Sequence, residues 1–390
     1  MNTMEKSDKY IFNTYARLPV VFVKGQGATL WDDQGNTYTD FLAGIAVASL
    51  GHAHPGVAKA LADQAEKLVH VSNLYYTEPQ ADLAELLVRK SFADRVFFAN
   101  SGAEANEAAI KLARRYFKKQ GASDRFKIIT MNQSFHGRTM ATLSATGQEK
   151  IQSGFSPLVD KFIHLPFNDI EALKKHMDHS VCAVMLEPVQ GEGGVIPADP
   201  EYLKQVRTLC TDHGALLIFD EVQTGMGRCG TLFCHELYEV YPDIMTLAKA
   251  LGNGLPIGAM LACEKIAEGF EPGSHGTTFG GTPLVTSAAL EVLKIISEPE
   301  FLEGVNEKGA YFKSQLHELK KKHPIIRDIR GEGLLLGMTL GEKRPEIVKL
   351  CMEKGFIINL IQDTIVRFAP PLVITKQEID GVVNALDTLL

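Results

Sequence analysis

The chain has 390 residues, 45% apolar and 22% charged, with a formal net charge of -7. At roughly 150 residues per domain, this length predicts two or more units around a sizeable core. The acidic balance argues against a nucleic-acid partner, and no run of about 18 apolar residues is present to cross a membrane. The N-terminus, MNTMEKSDKYIF, lacks the apolar stretch of a signal peptide. The six cysteines form no CxxC pair and several sit in apolar runs, so a reducing cytoplasm without disulfides or a thiolate zinc site is expected.

In chain order, TLWDDQGNTYTDF reads as a hairpin with its turn near Asp33–Asn36. HPGVAKALADQAEKL and QADLAELLVRK carry apolar residues at helical spacing. RVFFAN reads as a strand that feeds the amphipathic helix SGAEANEAAIKLARRYFKK. FKIITM, VCAVMLEPV and ALLIFDEV are further strands, with YLKQVRTLCTDHG as a helix between the last two. Such alternation predicts an α/β unit, a mostly parallel sheet between helices, with ligands bound beyond the strands' carboxyl ends. From Pro283 a helix, TSAALEVLKII, leads to two β-rich runs, GLLLGMTL and TIVRFAPPL. These predict a smaller α+β domain. The expected division is 1–53, packing with the small domain, then 54–282 as the large domain and 283–390 as the small one. HELKKKH, His317 to His323, reads as the solvated face of a helix.

Four strand ends carry residues suited to chemistry. Ser101–Gly102–Ala103 opens a helix, where free amides make an anion cup, although Ser101 is equally a plain N-cap. Asp220 and Glu221 end an apolar strand; a carboxylate there needs a partner, whether a protonated ring nitrogen, a helix end or a divalent metal. Lys249 follows an apolar run and precedes a glycine-rich stretch; desolvated it is an amine nucleophile, extended to water it is a surface lysine. Phe135 and His136 offer rings to a flat cofactor, and Arg138 offers a fork to a carboxylate or an internal salt bridge. A phosphate cup, a stacking ring, a carboxylate and an amine are what pyridoxal 5′-phosphate (PLP) requires. Gly225, Gly227 and Gly230 match the dinucleotide pattern GxGxxG, but the short helical stretch begins only after them. His52 and His54, flanked by Gly51 and Pro55, read as a turn rather than a metal site.

Together, SNLYYTEPQ, FANSGAEANEAAIKLAR, SFHGRT, EPVQGEGG, FDEVQTGMGR, AKALGNGLPIGA, GTTFGG and RFAPPL resemble the class-III PLP-dependent aminotransferases of fold type I, most closely their acetylornithine branch. The resemblance extends from about Leu30 to Leu372. It implies a homodimer with active sites shared between subunits, no metal, and PLP bound as an imine on Lys249. It implies Asp220 on the pyridine nitrogen, Gln223 near the ring hydroxyl, Phe135 and His136 against the ring, and Ser101, Gly102 and Ala103 at the phosphate. Thr278 would reach the phosphate of the other subunit. Arg138 would take the carboxylate distant from the reacting amine, and Arg367 the α-carboxylate of glutamate. Glu192 would neutralise Arg367 when the other substrate is bound. Ile45 stands where ornithine-specific members carry a tyrosine, which favours an N-acylated ornithine such as N2-acetylornithine with 2-oxoglutarate as acceptor. Succinylornithine, ornithine and 4-aminobutyrate are the alternative donors. GGTPL departs from the usual GGNPL at Thr282, which touches only local packing.

Overall fold

A computed structural model describes all 390 residues. Its central sheet has seven strands: β1 (Arg95–Ala99), β2 (Lys127–Met131), β3 (Phe162–Leu165), β4 (Val181–Leu186), β5 (Leu216–Asp220), β6 (Ile244–Leu247) and β7 (Gly258–Ala262). Their order is β1-β7-β6-β5-β4-β2-β3. All pairs are parallel except those made by β7, which runs against both β6 and β1.

The apolar runs explain this layer. Every residue of β4, β5 and β6 is buried, as expected for strands covered on both faces. Alternate side chains go to opposite sides. Val184, Leu186, Leu217 and Phe219 join one core cluster with the helix Pro200–His213. Met185, Leu216 and Ile218 join another with α1 (Gly102–Lys119). The α/β reading therefore holds, with one antiparallel strand that sequence alternation did not reveal.

A second sheet is antiparallel throughout: β8 (Ile326–Glu332), β9 (Leu335–Leu340), β10 (Asn359–Ile361) and β11 (Ile365–Phe368), in the order β8-β9-β11-β10. The helices Pro299–Lys322 and Lys376–Leu389 bury apolar residues against it. Lys320, Lys321 and Lys322 form the last turn of the first of these, where cations complement the helix dipole.

The N-terminal hairpin, Thr29–Asp32 and Thr37–Asp40, turns over Asp33–Asn36, with the Asp32 carboxylate accepting from the N–H groups of Gln34 and Asn36. Its second strand pairs in parallel with Phe356–Ile357, over three hundred residues away. Phe41 follows that strand and is fully buried, in contact with Phe312, Phe356 and Phe368 at centroid distances of 5.7, 6.2 and 6.3 Å.

The GxGxxG segment does not open a helix; Gly225–Gly230 is a series of turns. Its Arg228 is wholly buried and donates to the carbonyls of Leu334 and Pro370 and to Ser49 Oγ. Burial pushes this guanidinium down to about 10. Three distant stretches are thus tied by one cation, and the glycines serve that turn rather than a dinucleotide. No helix is long and apolar enough to cross a membrane.

Replacing Phe41 by Ala removes the shared ring of this cluster, with an expected loss of about 3–5 kcal/mol. The check is a lower thermal midpoint; an unchanged midpoint would show that the N-terminal hairpin docks without it.

Candidate active site

The carboxyl ends of β1, β5 and β6 open on one cavity of about 430 Å³. Its walls include Ser101, Gly102, Ala103, Phe135, His136, Arg138, Asp220, Gln223 and Lys249. Nine of the thirteen residues singled out in the sequence therefore meet in one space. This is where an open α/β sheet is expected to bind its ligand.

Each wall has a local cause. β1 ends at Ala99, and Ser101 caps α1 by accepting from the Glu104 N–H. The N–H groups of Gly102 and Ala103 belong to the first turn and have no partner within the helix, and both residues line the cavity. Gly102 is needed because Val222 backs it closely: an added Cβ would lie 2.7 Å from Val222 Cγ1. Asn100 continues the rim, with its side chain on Glu104 Oε2.

Asp220 ends β5, Glu221 follows it, and the two side chains point apart, as successive residues of extended chain do. Glu221 accepts from the N–H groups of Cys234 and His235 and pairs with His235 Nδ1 at 2.9 Å. Asp220 faces the cavity. Its Oδ2 meets His136 Nδ1 at 2.8 Å and Asn106 Nδ2 at 2.7 Å, and its Oδ1 takes the Val222 N–H. The adjacent carboxylates thus do not form one metal site. No basic chain from lysine or arginine pairs with Asp220, so it is available to a cationic ring N–H.

Burial alone would push His136 toward its neutral form, but the hydrogen bond to Asp220 and its charge outweigh this and raise the ring above its ordinary value. His136 Nε2 is buried with no partner. Phe135, one residue earlier, carries the Arg138 guanidinium over its ring at 5.7 Å. Arg138 itself is exposed at the rim.

Lys249 follows β6 and starts a short turn with a positive φ of 45°. A non-glycine residue held there costs about 1–3 kcal/mol, the kind of strain found where a side chain must be aimed. Burial pushes its ammonium below the ordinary value; Glu192 opposes that and Arg367 adds to it. An amine depressed in this way is a usable nucleophile and base.

The remaining four residues lie outside the cavity wall. Arg367, on β11, is almost wholly buried and pairs with Glu192 at 2.5 Å. Its other nitrogen donates to Asn359 Oδ1 at 2.8 Å, and Gln223 Oε1 lies 3.3 Å away, which joins the pair to the cavity. Burial raises the Glu192 carboxyl but the Arg367 charge and hydrogen bond overcome this and hold it below the usual range. Ile45 is partly buried at φ 68°, inside a left-handed turn from Ala43 to Ala46, two residues before the cavity residue Val47. Thr278 is exposed and lies apart, among His70, Ser72, Tyr75 and Thr282. His52 pairs with Asp40 Oδ2 at 2.8 Å, and Asp40 also caps Leu42 and Ala43.

Two wall residues escaped the sequence reading. Glu187 follows the wholly buried β4 and accepts from the N–H of Phe135 at 3.0 Å and of Gly191 at 3.4 Å. The reasoning applied to Asp220, a carboxylate ending an apolar strand, applies equally to it. Asn106 is a polar residue among the alanines on the buried face of α1.

The fit to PLP rests on these observations: free amides at the start of a long helix, a carboxylate without a lysine or arginine partner, and a half-buried lysine lining the same cavity.

Comparisons with known proteins agree with this chemistry. The family model described as "Aminotransferase class-III" matches residues 10–390. The acetylornithine aminotransferase of Caldanaerobacter subterraneus subsp. tengcongensis is 52% identical, over 100% of this chain and 99% of that one. That of Methanocaldococcus jannaschii is also 52% identical, over 99% and 97%. Among solved structures, the ornithine aminotransferase of Toxoplasma gondii superposes with a TM-score of 0.94 at 34% identity, covering 99% of this chain and 93% of that one. The N-acetylornithine aminotransferase of Stenotrophomonas maltophilia gives 0.85 at 39% identity, covering 99% and 97%.

Burial pushes the Glu187 carboxyl up to about 7, against the opposing charge of His136. Its neutral form holds below that pH and ionises above it. The infrared band of a protonated carboxyl in the apoprotein should decline as pH rises through about 7. In Glu187→Gln this component should be absent at every pH; a variant spectrum identical to wild type would refute the assignment.

Proposed function

Because the chain belongs to the class-III aminotransferase family, we propose that it moves the δ-amino group of N2-acetylornithine to 2-oxoglutarate, giving N-acetylglutamate 5-semialdehyde and glutamate. The observation that carries the reading is the ion pair of buried Arg367 with half-buried Glu192 at the edge of the Lys249 cavity. An aminotransferase must admit two unlike substrates in turn. With Glu192 on Arg367, a donor reacting through its δ-amine meets no bare cation. With Glu192 swung away, Arg367 is free for the α-carboxylate of glutamate, and Arg138 takes the second carboxylate.

Bound PLP supplies an electron sink for the charge left when the substrate carbon loses its proton. The chain's own groups do the rest. Lys249 Nζ holds the cofactor at rest, then takes the proton from the amino-bearing carbon. Asp220 would accept from the ring N–H and keep it protonated. The Gly102 and Ala103 amides, with Ser101, would hold the phosphate, Phe135 and His136 would pack on the ring, and Gln223 would bind the ring hydroxyl.

The donor reading is supported by the similarity to acetylornithine aminotransferases over the full chain and by Ile45, which offers no hydroxyl to free ornithine. A homodimer completes the site. Leu74, Tyr75, Tyr76 and Phe279 are exposed apolar residues, and Thr278 adjoins Phe279. A second copy covering them would bring Thr278 toward its neighbour's phosphate. The six free cysteines, five of them buried, suit a cytoplasmic location.

Three outcomes test the proposal. The purified protein with PLP should show a visible absorption band that Lys249→Ala abolishes together with activity; a protein that takes up no PLP would sink the reading. With 2-oxoglutarate, acetylornithine should exceed succinylornithine, ornithine and 4-aminobutyrate in kcat/KM. In single-turnover measurements Glu192→Ala should slow the acetylornithine half-reaction by roughly tenfold or more, since it leaves a buried cation unpaired, and slow the glutamate half-reaction far less. Equal losses would reject the gate.

A further inference from the structure

We infer that Asn106 is a positioning residue that aims Asp220 at the cofactor ring nitrogen, through a buried chain from Thr246 to Asn106 to Asp220. The inference rests on the reading that Asp220 meets that nitrogen. Asn106 lies one turn into α1, is 1% exposed, and lines the cavity wall. Its Nδ2 donates to two acceptors, Asp220 Oδ2 at 2.7 Å and the His136 carbonyl at 2.8 Å. Its Oδ1 accepts from Thr246 Oγ1 at 2.6 Å. The amide orientation has no alternative, because a flipped group would set its oxygen against a carboxylate and a carbonyl, neither of which donates.

The consequence is a count of lone pairs. Asp220 Oδ2 takes Asn106 and His136, which fills it. Oδ1 takes only the Val222 N–H, at 3.1 Å. One acceptor position remains, on Oδ1, for a ring N–H. Without Asn106 the carboxylate keeps His136 but loses the second bond that fixes its rotation. The same substitution frees the His136 carbonyl, so the platform beside the ring and the carboxylate lose a common anchor. Thr246 sits opposite Asp220 in the β5–β6 register, so the far end of the chain is fixed by the sheet itself.

The test uses apoprotein of wild type, Asn106→Ala, Asn106→Asp and Thr246→Val, titrated with PLP, with the pH midpoint of the visible band read after loading. Asn106→Ala should weaken cofactor binding on the order of tenfold and move the band midpoint, since it removes a hydrogen bond to a charged group. Thr246→Val should do the same to a smaller degree. Asn106→Asp keeps the volume but sets two carboxylates in contact, which then share one proton. Its cofactor deficit relative to wild type should therefore shrink as pH falls, a response that lost packing alone would not give. Wild-type affinity and midpoint in both Asn106 variants would overturn the inference. So would an Asn106→Asp deficit that is the same at every pH. Failure of the wild-type protein to bind PLP would instead overturn the cofactor reading, and this inference with it.

Discussion

The structure depends on one constraint: ionised groups at the carboxyl ends of buried strands must be satisfied without water. Asp220, Glu187, His136, Lys249, Glu192 and Arg367 gather at or beside a single cavity. Any of them left unpaired would cost several kcal/mol. The chain meets this with short bonds that also orient. Asp220 is held by His136 and Asn106, and Arg367 by Glu192 and Asn359. The groups that satisfy the charges are the same ones that aim them.

Lys249 is the exception, and an informative one. No hydrogen bond enters the balance of forces on its amine; burial and distant charges alone act on it. Its backbone is held in the left-handed region by the turn that follows β6. An amine that is half-buried, unbonded and strained is unfavourable as structure and suited to covalent chemistry. The other half of the site, Arg367 and Glu192, comes from β11 and from the loop after β4. Arg228 connects these parts: it bonds the carbonyl of Pro370, three residues past Arg367, and Ser49 in the N-terminal stretch. Turns that resembled a dinucleotide loop thus brace the segment just past Arg367.

Much of this was legible in the sequence because strand ends repeat a pattern. An apolar run that stops at a charged or small residue identifies both the strand and the site, as at Ser101, Asp220 and Lys249. The antiparallel β7 was not legible, since GAMLA carries no mark of direction. Glu187 was legible and passed over. Asn106 was hidden because its helix is read by apolar spacing, and one polar residue on the inner face reads as noise until its partners are in view. Fold similarity does not discriminate the donor: the Toxoplasma ornithine aminotransferase superposes better than the Stenotrophomonas N-acetylornithine aminotransferase, although its identity is lower. The backbone is shared by both chemistries, so the distinction lies in side chains.

By itself, the sequence determined the strand–helix alternation and set Lys249, Asp220 and Ser101–Ala103 at the ends of strands, because each depends on a few adjacent residues. Tertiary structure decided which charges face one another. The pairing of Glu192 with Arg367 across 175 positions and the clamp of Asn106 on Asp220 across 114 both arise from packing distant segments. Burial then sets their charge states, because the cost of an ion depends on what surrounds it and not on its neighbours in the chain.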